Sequence, residues 1–188
     1  MGDYRIDIVE GMTCAGKTTC VQDIGAVYDT RLLLEHPPRL DFDPNDWLGH
    51  QNTVFEAYLR AFETVDSDCF ADFSPLACIP FTMACMDIGL IGKEAGLVAV
   101  CDMMARCNRL LRQYRIYLHR YFSLALSTIE KRLSERGRAG DDTWSSELLA
   151  AIKTRYDEFF EGDKWLVRRK VGRIVSIHTP PSKDRFSS

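Results

Sequence analysis

Arg5-Ile-Asp-Ile-Val-Glu10, followed directly by Gly11-Met-Thr-Cys-Ala-Gly16-Lys17-Thr18, decides the fold. The first six residues alternate at period two and run into a glycine, the pattern of a strand that ends in a tight loop. The next eight satisfy GxxxxGK[ST], and a helix from Lys17 to about Val27 is expected to follow. Between a strand and a helix that spacing has a physical meaning. The glycines let the backbone curl until successive N–H groups point inward at phosphate oxygens, and the helix N-terminus adds its partial positive charge. Lys17 is placed to reach the β- and γ-phosphates, and the Thr18 hydroxyl to hold Mg²⁺. Gly11, Met12, Thr13, Cys14, Ala15, Gly16, Lys17, Thr18 and Thr19 are thus the expected triphosphate cradle.

Working outward, strands and helices alternate. Arg31-Leu-Leu-Leu-Glu35 is a short apolar run closed by His36-Pro37-Pro38, as a parallel strand covered on both faces would be. Val54, Phe55, Tyr58, Leu59 and Phe62 recur at helical spacing over Thr53 to Val65, and Cys69-Phe-Ala-Asp72 reads as a third strand. Pro75 to Gln113 is expected to be mostly helical with a break near Gly89 to Gly96. Arg115-Ile-Tyr-Leu-His119 is a fourth strand, Leu124 to Arg136 and Ser145 to Glu161 are helices, and Gly172 to Ile177 is the last strand. Such alternation predicts a doubly wound α/β domain over residues 1–188, with five parallel strands ordered 2-3-1-4-5 and helices on both faces.

Composition narrows the function classes. With 188 residues, 46% hydrophobic and 27% charged, the chain reads as one ordinary globular domain and excludes disordered or collagen-like classes. The formal charge of −3 gives no general attraction for nucleic acid. No run approaches the roughly 18 apolar residues of a membrane helix. Seven cysteines without a CxxC pair, and four histidines without metal spacing, read as thiols in a reducing, cytoplasmic setting and not as disulfides or zinc ligands. No signal or transit peptide is read at the start of the chain.

GTPases need an NKxD base-reading segment, and the chain has none; small-molecule phosphoryl transfer is the better expectation. Lys131-Arg132-Leu-Ser-Glu-Arg136-Gly137-Arg138 sets three arginines at a helix end and just beyond it. From there guanidinium groups can close over a transferring phosphoryl group. The phosphate loop together with Arg132-x-x-x-Arg136-Gly137-Arg138 resembles the deoxyribonucleoside kinase family, which includes herpesvirus-type thymidine kinases and deoxycytidine kinases. That family shares its fold with thymidylate kinase. The arginine segment looks like the family's lid, here about 132–144, with Asp141 as a lid acid. Glu147 to Tyr156 is similar to the helix after the lid in viral thymidine kinases.

The resemblance implies roles for further residues. Glu35 stands where the family has a carboxylate at the end of its second strand, the general base for a sugar 5′-hydroxyl. Asp72-Phe73-Ser74 stands where the family has an acid, arginine and serine; Asp72 would support Mg²⁺, and Arg39 or Arg60 would replace the arginine lost at Phe73. Phe55-Glu56-Ala57-Tyr58 lies where the family often has Phe-Gln-x-Tyr, so Glu56 would read the base through acceptors alone, with Trp47, Phe55 and Tyr58 available to stack. The loop over Thr179 to Phe186 would wrap the ATP adenine. Pro75 to Gln113 reads equally as core or as a subunit interface, and within it the apolar segment Ile79 to Ile91 suggests a homodimer, whose helices in the resembled family pack across a two-fold axis.

The expected function is therefore ATP- and Mg²⁺-dependent phosphorylation of the 5′-hydroxyl of a deoxyribonucleoside. Glu35 would act as base, with Lys17, Arg132, Arg136 and Arg138 on the phosphates. The rivals are a thymidylate-type monophosphate kinase, whose dianionic substrate wants a fixed arginine, and a non-catalytic nucleotide-binding protein.

Overall fold

A computed structural model describes residues 4–28, 31–33, 43–111, 115–137, 144–160 and 174–178. The strands are β1 (Arg5–Gly11), β2 (Arg31–Leu33), β3 (Cys69–Ala71), β4 (Arg115–Ser123) and β5 (Ile174–His178). All pair in parallel, in the order β2-β3-β1-β4-β5. The helices are α1 (Lys17–Tyr28), α2 (Trp47–Glu63), α3 (Cys78–Asp87), α4 (Lys93–Leu111), α5 (Leu126–Arg136) and α6 (Ser146–Phe160), with a short 3₁₀ turn over Pro75–Ala77. Among the described residues no helix is long and apolar enough to cross a membrane.

The central strand shows why the order holds. In β1, every residue from Ile6 to Gly11 is buried, so both faces must be covered by helices and both edges by strands. Register places Ile8 opposite Ala71 of β3 and Gly11 opposite Phe122 of β4, so the strands' carboxyl ends share one edge. β4 runs four residues beyond the expected His119, because Arg120 to Phe122 continue the ladder with β1 while Tyr121 to Ser123 pair with β5. The described part of β2 stops at Leu33; Glu35 lies outside the described residues.

α2 starts at Trp47, six residues before the expected Thr53. The cause is local: the Asp46 carboxylate caps the helix by accepting from the Gly49 N–H at 2.8 Å, satisfying a first-turn donor. Because β2 and β3 are parallel, α2 has to return the chain from the carboxyl edge to the amino edge. Its inward stripe is Gln51, Phe55, Tyr58, Leu59 and Phe62, all buried, and the helix packs against α3, α4 and the 3₁₀ turn. The Ile79–Ile91 segment, expected at a homodimer interface, is instead largely core: Ile79, Ala84, Cys85 and Ile91 are buried within the one chain, and α3 packs against α4 and α6. The exposed apolar residues of that region lie at its end and beyond it, at Leu90, Leu97 and Val98.

Candidate active site

The loop between β1 and α1 is shaped by a few backbone constraints. A Cβ at Gly11 would meet the Phe122 carbonyl at 2.9 Å, so only glycine lets β1 leave the sheet here beside β4. Gly16 (φ +89) and Cys14 (φ 59) both take left-handed backbone, which for Cys14 is costly for an L side chain. Strain of this kind persists only where the surrounding structure holds the backbone curled. The first-turn N–H groups of α1 have no intrahelical partners, so this helix start is suited to anionic oxygens.

Three cationic side chains converge on that loop. The Lys17 ammonium donates to the carbonyls of Gly11 (2.9 Å) and Met12 (3.1 Å). From α5, Arg132 Nη1 donates to the Cys14 carbonyl at 3.1 Å, and Arg136 Nη1 to Thr13 Oγ1 at 3.0 Å. Lys17, Arg132 and Arg136 are half-buried, so their charge is screened less than on open surface. Arg138 and Asp141 lie outside the described residues, as do His36, Arg39 and the Thr179–Phe186 segment.

Beside the loop, the Thr18 hydroxyl donates to a carboxylate oxygen of Asp72, and Asp72 is fully buried at the carboxyl edge of β3. A hydroxyl and a carboxylate in contact are hard oxygen donors of the kind Mg²⁺ takes when phosphates and water complete its shell. No cluster of three or more His, Cys, Asp or Glu occurs among the described residues, so a self-contained protein metal cage is not built there. A second tie lies close by: the Ser74 hydroxyl donates to Glu10, the buried acid that ends β1 before the loop. The same Ser74 oxygen accepts from the Leu76 N–H at 3.2 Å, capping the 3₁₀ turn.

The residues expected at the acceptor end divide between the core and the contact of α2 with α4. Phe73, where an arginine was missed, is core: it is 3% exposed, with Tyr58 at 4.5 Å and Phe62 at 5.6 Å between ring centroids. Tyr58 is thereby committed to packing, and Arg60 is exposed on the far side of α2. Trp47 is half-buried at the start of α2. Glu56 is held by Arg106 of α4 through both carboxylate oxygens, one contact at 2.8 Å, and these hydrogen bonds keep its carboxyl below the usual glutamate range. Phe55 is buried with the Arg106 guanidinium 5.2 Å above its ring. A 390 Å³ cavity between α2 and α4 is lined by Asn52, Phe55, Glu56, Asp102 and Arg106, among others.

The residue that sequence reasoning passed over is Gln51. It is 4% exposed, and its amide makes no hydrogen bond among the described residues. Tyr58 packs on Phe73, just past the end of β3, and Gln51 lies seven residues earlier on the same stripe, about 10 Å further along the helix beyond the carboxyl edge. A polar residue one turn before Phe55 in an otherwise apolar stripe was the available signal.

The fold and site together define a parallel α/β protein with a strained, glycine-containing loop between its first strand and first helix, met by two arginines from α5. No protein-family model and no curated protein matches the chain. Solved structures do. It is similar to deoxyadenosine kinase from M. mycoides with bound dCTP (TM-score 0.75, 16% identity, covering 93% of this chain and 90% of that one). The same kinase with bound dATP gives 0.66 at 16% identity, covering 93% and 91%. With products dCMP and a flexible dCDP bound it gives 0.74 at 15%, covering 93% and 89%. At such identity the likeness shows the fold.

Proposed function

We propose that the protein is a kinase that transfers the γ-phosphoryl group of ATP to the 5′-hydroxyl of a deoxyribonucleoside. The observation that carries this reading is the convergence of Lys17, Arg132 and Arg136 on one strained loop, with the Thr18–Asp72 pair beside it. Phosphoryl transfer needs little covalent help from the protein. It needs positioning and fixed positive charge where negative charge spreads over the equatorial oxygens. Loop N–H groups and Lys17 would hold the β- and γ-phosphates, while Arg132, Arg136 and Arg138 would close from the lid. Mg²⁺, held through Thr18 and Asp72, would neutralise charge between the phosphates.

At the acceptor end, Glu35 would orient the sugar hydroxyl and accept its proton. The Gln51 amide would read the nucleobase, since it offers one acceptor and two donors and is left without a protein partner among the described residues. Phe73 favours a nucleoside over a monophosphate as acceptor. A substrate dianion would meet a buried ring where a guanidinium is wanted. Exposed Leu97 and Val98 on α4 offer a homodimer an apolar surface, and sedimentation at the monomer mass of 21.5 kDa would remove that part of the reading.

The test is acceptor-dependent ADP release with ATP·Mg²⁺, comparing the four deoxynucleosides with dTMP and dCMP. Turnover with a nucleoside, lost in Glu35→Gln with ATP binding kept, is expected. Turnover with monophosphates alone would give the site to a thymidylate-type kinase, and ATP binding without turnover of any acceptor would make it a nucleotide-binding protein.

A further inference from the structure

We propose that Arg106 is a positioning residue for the nucleobase end of the site, fixing the rotation of α2 and with it the Gln51 amide; this rests on the reading above. Arg106 meets α2 in two ways at once. Its two terminal nitrogens grip both oxygens of Glu56, and its guanidinium carbon lies over the Phe55 ring, 5.2 Å from the centroid. Phe55 and Gln51 are four residues apart, so they are neighbours on one stripe of α2. Phe55 is therefore the step by which Arg106 reaches Gln51.

Arg106 is itself held from within α4. Asp102, one turn earlier on α4, lies 3.6 Å from Nη1. α4 is a firm base, because Val100, Met103, Cys107 and Leu110 beside Arg106 are buried in the core. Glu56 and Arg106 side chains are 40% and 28% exposed, so their attraction adds little to overall stability. What Arg106 supplies is direction: a bidentate fork on Glu56 and a cation over Phe55 restrict the azimuth of α2 more than a single hydrogen bond would. An amide that must match donor and acceptor edges of a base is sensitive to that azimuth, since misplacement by about 1 Å can cost two orders of magnitude.

The test uses Arg106→Met and Arg106→Lys, each measured for nucleoside KM, ATP KM, kcat and preference among the four deoxynucleosides. Lysine keeps the charge and loses the fork and the plane, so both variants are expected to raise the nucleoside KM about tenfold or more and flatten base preference, with ATP KM unchanged. Arg155→Met is the control. Arg155 makes a comparable bidentate pair with Asp87 between α3 and α6, so its loss is expected to lower the melting temperature without moving the nucleoside KM. The inference is overturned if Arg106→Met lowers only the melting temperature or only the amount of active protein, or if Arg106→Lys behaves as wild type. If wild type turns over nucleosides and Arg106→Met matches it, this inference alone fails. If wild type turns over none, the function reading fails first and carries this one with it.

Discussion

Arg132→Met separates two roles that one guanidinium can play at the phosphate loop. In the structure Arg132 Nη1 donates to the Cys14 carbonyl at 3.1 Å, a charge-assisted bond worth about 1.5–3 kcal/mol net. If Arg132 only braces the loop, that energy appears in ATP affinity as a loss of about 10- to 150-fold, with kcat nearly kept. If the guanidinium also moves onto the transferring phosphoryl group, kcat falls by about 10³-fold or more, beyond what the observed bond can supply. A melting experiment reads the first term without chemistry. ATP at about 100 times its Kd stabilises wild type by about 2.7 kcal/mol, and the same concentration stabilises a variant with 10- to 100-fold weaker binding by about 1.4 to 0.4 kcal/mol. Steady-state ADP release reads the second. A variant whose ATP-induced stabilisation and kcat both match wild type would refute the placing of α5 over the loop.

Three further outcomes are expected. Phe73→Ala should cost about 3–5 kcal/mol in urea unfolding, because it opens a cavity between Tyr58 and Phe62. Phe73→Arg should cost no less and gain no turnover, and a stable, faster Phe73→Arg would return that position to the catalytic set. In thiol labelling, exposed Cys101 should react first and Cys69, Cys78, Cys85 and Cys107 only on unfolding, while ATP·Mg²⁺ should protect the half-buried Cys14; equal Cys14 rates with and without nucleotide would move the ligand off the loop. Burial pushes the Cys85 and Cys107 thiols up to about 12 from an ordinary value of 9.0. The folded chain then keeps protons that the unfolded chain loses, so stability is full below pH 9 and declines from there towards pH 12. Cys85→Ala should flatten that decline, and denaturant midpoints that hold constant from pH 8 to pH 10.5 would contradict the thiols' burial.

What the sequence exposed and what it hid follow from how far apart the cooperating residues lie. The turn between β1 and α1 was legible because eight contiguous residues build it and its glycines answer to backbone geometry, as the 2.9 Å approach at Gly11 shows. β4 could be read only as far as His119, because its last four residues are defined by ladders with β1 and β5 and not by their own alternation. The apolar run from Ile79 to Ile91 reads as an interface yet is largely core, since burial in one chain and burial between two ask for the same side chains. The acceptor end was hardest. Glu56 read as a lone acceptor, yet its partner Arg106 is fifty positions away on another helix, and no local pattern announces such a pair. Arg132 and Arg136 succeed over greater separations, 118 and 123 positions from their loop partners, because a four-residue spacing already puts both on one face of α5. Once α5 follows β4 from the same edge that β1 leaves, one arginine reaching the loop brings the other with it. A single long-range arginine has no such neighbour to betray it, so Arg106 became visible only when the parallel sheet had brought α2 and α4 together.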